Sequence, residues 1–266
     1  MTKLSISRAW DESRAVLARD GKLIGTVALA LFVFPGIILN LIMPTTRSSG
    51  SEPNPWLLVA LIPILISLVG QLSIIRLAMG PHISVGEAIA HGGRRILYYA
   101  GAVLVWTVPF MLIGSVLYTM VGKDTQHPSA AAAIGLLIVT AIGVFLAVRF
   151  ILISAVASAE PVGPITILRR SWDLTTGNWW RLFAFLLLCM VAAMILLVAV
   201  QSVAALIARM LFGDVSSLSV GGLLVSIAGQ LVSGLISVIL FVMLARIYVQ
   251  LAQPTHADVG VPSSGI

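Results

Sequence analysis

The chain has 266 residues, 59% hydrophobic and 10% charged, with a mean hydropathy of +1.07. A water-soluble domain carries about 25% charged residues, so this chain lacks the polar side chains to coat a globule of its size, and its solvent is expected to be mostly lipid. Its net charge is +6, but the basic residues flank apolar runs instead of gathering on one soluble element. That pattern fits topology determinants beside anionic lipid and not a nucleic-acid surface.

In chain order, residues 4–20 come first. Ile6, Trp10, Val16 and Leu17 can share one helical face, opposite Arg8, Asp11, Glu12, Arg14 and Arg19. This predicts a short amphipathic helix lying in the membrane interface, closed at Gly21 by a left-handed cap. The apolar run after it is long enough to cross a bilayer and no small-x-small cleavage site follows, so it is expected to be a retained span and not a cleaved signal. This first span covers about 22–42 and contains Pro35, which a membrane helix tolerates when neighbours satisfy the freed carbonyl. Met43 to Pro55 reads as an exposed loop with Trp56 at the interfacial belt.

The second span covers about 56–79 and carries Gln71 and Arg76 on its later half. Ser84 and Glu87 have capping-box spacing, which predicts a short helix from Val85 to about His91, ended at Gly92-Gly93. The third span, about 96–120, contains Pro109. The fourth, about 130–153, has small residues at every fourth position (Ala131, Gly135, Val139, Gly143, Ala147) and Arg149 near its end. Such a stripe permits close helix approach.

Glu160 to Arg181 is the longest polar interval. Gly163-Pro164 can start a helix, with Pro in the first turn. Ile165, Leu168, Trp172 and Thr175 would then share one face, while Arg169, Arg170, Asp173 and Thr176 point away. Asp173 stands four residues after Arg169 and can pair with it, and Gly177 ends the helix. The fifth span covers about 180–208 and the sixth about 220–251, with a second small and polar stripe at Gly222, Ser226, Gln230 and Gly234. Arg246 lies near the end of the sixth span. Residues 254–266 read as a disordered tail.

The expected fold is an all-α integral membrane domain over residues 1–253. Its six transmembrane helices form three hairpins, each preceded by a short cytoplasmic interfacial amphipathic helix. The three cytoplasmic junctions share an order of glycine, basic residue and span (Gly21-Lys22, Gly93-Arg94-Arg95, Gly177 to Arg181), which suggests an internal structural repeat. With a cytoplasmic N-terminus, the outer loops hold only Arg47, Lys123 and Arg209 of the sixteen lysines and arginines. This is a strong positive-inside bias, so both termini are expected in the cytoplasm, and the expected location is the cytoplasmic membrane of a bacterial or archaeal cell.

Chemistry is sparse. Cys189, the only cysteine, rules out an intramolecular disulfide. His82, His91, His127 and His256 lack metal-ligand spacing, and no acidic residue stands mid-span to relay protons. No phosphate-binding loop, nucleophile elbow or dinucleotide fingerprint appears in a suitable context. No catalytic residue, cofactor or metal is expected. Arg76, Arg149 and Arg246 are candidates to hold lipid phosphate through guanidinium forks, against the plainer reading that each snorkels to the interface. Gln71, Gln201 and Gln230 are expected to bridge helices.

The run from Glu160 through Gly163-Pro164 to Arg170-Ser171-Trp172-x-Leu174-Thr175-x-Gly177-x-Trp179-Trp180-Arg181 resembles the signature of the glycerophosphoryl diester phosphodiesterase membrane-domain family. YciC-like integral membrane proteins carry similar stretches. In that family the membrane domain can be fused to a phosphodiesterase barrel. This chain has no such barrel, so the resemblance implies a membrane domain without that catalysis. Glu160, Arg169, Arg170, Ser171, Trp172, Thr175, Gly177, Trp179, Trp180 and Arg181 are the motif residues and the candidate contacts for a phosphate headgroup. The expected role is a non-catalytic module that organises lipid or a partner membrane protein. Its partners would be the bilayer, anionic lipid above all, and no nucleic acid. A small-molecule or lipid transporter is the alternative.

Overall fold

A computed structural model of the chain describes residues 4–47, 56–80, 83–121, 130–213 and 219–252. Among these residues the secondary structure is helical and includes no strand. Six helical segments are long and apolar enough to cross a membrane: Ile6–Asn40, Leu58–Met79, Val85–Val116, Ile134–Ala159, Trp179–Phe212 and Val220–Ala252. In such segments every backbone group except those at the ends is bonded within its own helix, which is the condition for crossing hydrocarbon.

The elements are α1 (Ile6–Ala28), a π-helical segment (Leu29–Val33), α2 (Phe34–Arg47), α3 (Trp56–Met79), α4 (Val85–Val121), α5 (Ala130–Arg149), α6 (Ile153–Ala159), α7 (Pro164–Thr175), α8 (Trp179–Phe212) and α9 (Val220–Ala252). The π segment has a local cause. Proline clashes with the carbonyl four residues before it, which for Pro35 is Leu31. The helix widens just ahead of the proline, so the Phe34 N–H reaches the Leu29 carbonyl five residues back.

Two of the three expected interfacial helices are not separate. α1 runs through Gly21 without a break, and α4 runs for 37 residues through Gly92-Gly93. A glycine inside a helix costs about 1 kcal/mol relative to alanine but does not by itself end it. Gly92 serves packing instead, since a side chain there would press into Ser73 and the Val69 carbonyl of α3. The capping box at the start of α4 forms as the spacing predicts. The Ser84 N–H donates to Glu87 at 3.0 Å, and the Glu87 N–H donates to Ser84 Oγ at 3.2 Å. α7 alone is a discrete helix, started by Gly163-Pro164 and followed by Gly177 at φ 84°. Only that junction needs the left-handed backbone that glycine allows.

Other boundaries shift. The first span begins at Ile6 and helix continues to Arg47, into the stretch expected as loop. The fourth helix stops at Arg149, turns over residues 150–152, and resumes as α6. The rest of the loop to Pro55, the turn at 122–129 and the tail from 254 lie outside the described residues.

α3 and α9 form the centre, packing against α1 and against each other, while α8 lies along α9 and α4 along α3. Of the expected glutamine bridges, Gln71 makes an inter-helix hydrogen bond, while Gln201 and Gln230 lie at close helix contacts. Tyr99 of α4 donates to Gln71 of α3 at 3.1 Å, Gln201 of α8 lies against Gly229 of α9, and Gln230 of α9 lies against Gly36 of α2. The α9 stripe receives the π segment, with Val33 seated on Gly234. In the α5 stripe, Gly143 takes the Phe110 ring of α4.

The buried core is concentrated at one end of the bundle. It gathers Ala9 and Val16 of α1, Ile74 and Ile75 of α3, Leu152, Ile153 and Ala155 to Ala157 around α6, Ile167 of α7, Leu182 of α8 and Met243 to Ala245 with Ile247 of α9. Elsewhere the helices present large apolar side chains outward, such as Leu137, Leu188 and Ile195. A lipid-solvated shaft joined to a protein-packed end explains both observations.

Candidate functional site

That packed end is where the polar interval from Glu160 to Arg181 docks. α5 has 20 residues, a rise of about 30 Å, which matches the hydrocarbon core of a bilayer. Arg149 closes this helix. When the chain turns at residues 150–152, the Ile153 N–H bonds to the Phe150 carbonyl at 3.1 Å, leaving the Arg149 carbonyl without its helical donor. α7 supplies the replacement. Ser171 Oγ donates to the Arg149 carbonyl at 2.9 Å, and Thr175 Oγ1 lies 3.4 Å from the same oxygen.

This reverses part of the expected orientation of α7. Its buried residues are Ile167, Ser171, Leu174 and Thr175, whereas Ile165 and Trp172 are exposed. Hydrophobicity alone would turn Trp172 inward. The orphan carbonyl of α5 requires a hydroxyl there, and Ser171 takes the inner position. On α1 the same shift occurs: Ala9, Ser13 and Val16 are buried and Trp10 is exposed. Close helix contact at that end favours small residues.

The Arg149 side chain also meets α7. Nη1 donates to Thr176 Oγ1 at 3.0 Å, and the guanidinium carbon stands 4.8 Å from the Trp172 ring centre and 5.3 Å from that of Phe145. Both are cation–π distances. Its Nε is buried without a hydrogen-bond partner among the described residues. Around it lies an aromatic group. Phe145 contacts Trp172 edge-on at 5.9 Å and stacks with Trp179 at 5.7 Å, Trp179 stacks on Phe183 at 5.1 Å, and Trp180 meets Trp179 edge-on at 4.7 Å. Trp179 Nε1 donates to the Phe145 carbonyl at 3.4 Å, while Trp180 is 73% exposed.

The other basic residues of the motif differ in their partners. Arg170 Nε donates to Glu160 Oε1 at 3.1 Å, and the Tyr248 hydroxyl donates to the same oxygen at 2.8 Å, so Glu160 ties α7 to the end of α9. Arg181 Nη1 donates to the Leu4 carbonyl at 2.7 Å, and Asn178 Oδ1 accepts from the Leu4 N–H at 3.2 Å. The start of the chain is thereby fixed to the start of α8. Arg169 is exposed, and no ion pair joins it to Asp173 among the described residues. The expected pairing within α7 is replaced by the Arg170–Glu160 pair across its start.

Arg76 and Arg246, both half-buried, are not joined to Arg149 by any hydrogen bond among the described residues, and the Nε of Arg246 is buried without a partner. The sequence reading did not identify Leu4, Asn178, Thr176 or Tyr248 as participants. For Tyr248 no local signal exists, because its partner lies 88 residues away. Asn178 and Thr176 lie inside the motif run, and a helix-flanking Asn or Thr is a recognisable side-chain partner for nearby backbone.

These elements define a multi-pass, all-helical membrane protein whose connecting segment between the fourth and fifth spans closes one end of the bundle. The family described as a domain of unknown function, DUF7847, matches residues 4–251, and the chain belongs to it. The matching family carries no indication of the phosphodiesterase membrane domain that the Glu160–Arg181 run resembles. No curated protein and no solved structure matches the chain.

Proposed function

We propose that this protein is a non-catalytic membrane module that gathers anionic lipid at the cytoplasmic surface of the cell membrane, with its spans arranged as three hairpins and both termini cytoplasmic. The observation that carries this reading is the docking of the Glu160–Arg181 segment over one end of the bundle, with Trp172, Trp180 and Arg169 left exposed. Tryptophan and arginine at one level of a lipid-solvated shaft suit the headgroup region. The positive-inside bias supports assigning that end to the cytoplasm, since the start of α1, the end of α5 and the start of α8 meet there.

The roles of the motif residues favour this over chemistry. Ser171 and Thr175 serve a backbone carbonyl, and Glu160 holds Arg170 and Tyr248. None of these is paired with a base that would activate it as a nucleophile. The resemblance to the phosphodiesterase membrane domain supports a lipid-associated role without adding a reaction.

Phospholipid extracted from the purified protein should be enriched in anionic species relative to the membrane it came from. A lipid profile equal to that of the bulk membrane would count against the reading.

A further inference from the structure

The exposed side of α7 carries a row that no other part of the fold explains. Arg169 and Trp172 stand three residues apart, and Thr176 follows four residues on, a spacing that keeps the row on one side of the helix. All three are exposed. Arg149 enters this row from α5, its guanidinium carbon 4.8 Å from the Trp172 ring centre and Nη1 donating to Thr176 Oγ1 at 3.0 Å. Thr176 Oγ1 in turn donates to the Trp172 carbonyl at 2.8 Å, which leaves its lone pairs to accept from Arg149.

One cation, Arg149, thus lies against the indole and a second, Arg169, shares its side of the helix, and neither has a carboxylate partner among the described residues. This separates them from Arg170, neutralised by Glu160, and from Arg181, bonded to the Leu4 carbonyl. Asp173 adjoins the row but forms no ion pair with either cation. Building on the lipid-gathering reading above, we propose that Arg149 and Arg169 together seat one phosphate group of an anionic phospholipid beside Trp172, whose ring face holds the Arg149 guanidinium. A guanidinium offers parallel donors to phosphate oxygens and stacks on aromatic faces. Arg149 closes a helix of bilayer length, so a phosphate at that level belongs to a lipid whose acyl chains run beside α5.

The test is native mass spectrometry of the detergent-solubilised protein titrated with phosphatidylglycerol or phosphatidylcholine. The wild type should retain phosphatidylglycerol preferentially. Arg169→Gln, which removes no hydrogen bond or ion pair among the described residues, should lower that retention about five-fold, and Arg149→Gln should do the same. Arg170→Gln and Arg181→Gln should lower thermal stability and leave the preference intact. Equal loss in all four variants would overturn the site in favour of diffuse charge. A wild-type preference unchanged in Arg169→Gln would overturn the site while leaving the lipid-gathering role standing. A wild type with no preference would overturn both. Excess inorganic phosphate should not displace the lipid, because it lacks the acyl anchor; displacement would assign the site to a free phosphate ester and overturn the lipid source.

Discussion

At the residue scale, the central event is one carbonyl. The turn after Arg149 leaves its oxygen without a helical donor, and Ser171 answers it at 2.9 Å from a different helix. An unsatisfied buried carbonyl costs about 1–3 kcal/mol. Ser171→Ala should therefore destabilise the fold by a free energy within that range, and Thr175→Val by less, because its hydroxyl is the more distant at 3.4 Å. A thermal-shift assay in detergent, with intrinsic tryptophan fluorescence as the signal, reads this directly. Tyr248→Phe should cost about 1 kcal/mol, the usual net worth of a hydrogen bond, since it removes one of the two donors to Glu160. The Arg170–Glu160 pair itself is partly exposed and contributes about 0–1 kcal/mol. The residue scale was also the least legible from sequence. Trp172 was expected to share a face with Ile165, Leu168 and Thr175, and Ser171 was assigned to neither face. The reason Ser171 turns inward, a carbonyl orphaned 22 residues earlier, leaves no trace in local hydrophobicity.

At the element scale, the six apolar runs were legible because about 20 consecutive apolar residues have few fates other than a membrane helix. The capping box at Ser84 and the Gly163-Pro164 helix start were legible because each follows from a local hydrogen-bond requirement. The helix ends assigned to Gly21 and Gly92-Gly93 were misread because glycine has two structural uses, reversal of the backbone and close approach, and sequence alone does not distinguish them. The structure does, and the two cases predict opposite signs. At Gly21 a methyl group would meet nothing within 4 Å. Gly21→Ala should stabilise the protein by about 0.5–1 kcal/mol through helix propensity. At Gly92 a side chain would meet Ser73 Oγ and the Val69 carbonyl at 2.9 Å each. Gly92→Val should destabilise it by about 1–3 kcal/mol through overpacking. Comparing the two midpoints in one detergent checks both. The repeat suggested by three glycine-basic junctions is correspondingly uneven, since only the third forms a separate helix before its span.

At the scale of the whole molecule, the chain is a lipid-facing shaft with a protein-packed end. α4 and α9, at 37 and 33 residues, exceed the roughly 20 that a bilayer needs. α9 delivers Tyr248 to Glu160, and α4 brings His91 Nε2 within 2.8 Å of the Ser158 carbonyl of α6. The surplus length of both helices thus serves the packed end. The proposed topology is open to a direct check: reporter fusions after residue 252 should report the cytoplasm, and fusions between residues 122 and 129 should report the outside.

The claim on which the account rests is that the exposed side of α7 lies at the level of the lipid headgroups. A nitroxide at Ile165→Cys tests it, in a Cys189→Ser background, because Ile165 is 62% exposed and Cys189 is the only native thiol. Power-saturation EPR in anionic vesicles should place the label at headgroup depth, with partial access to both oxygen and a water-soluble nickel relaxant. Full access to the nickel relaxant, as for a loop standing clear in water, would contradict the account.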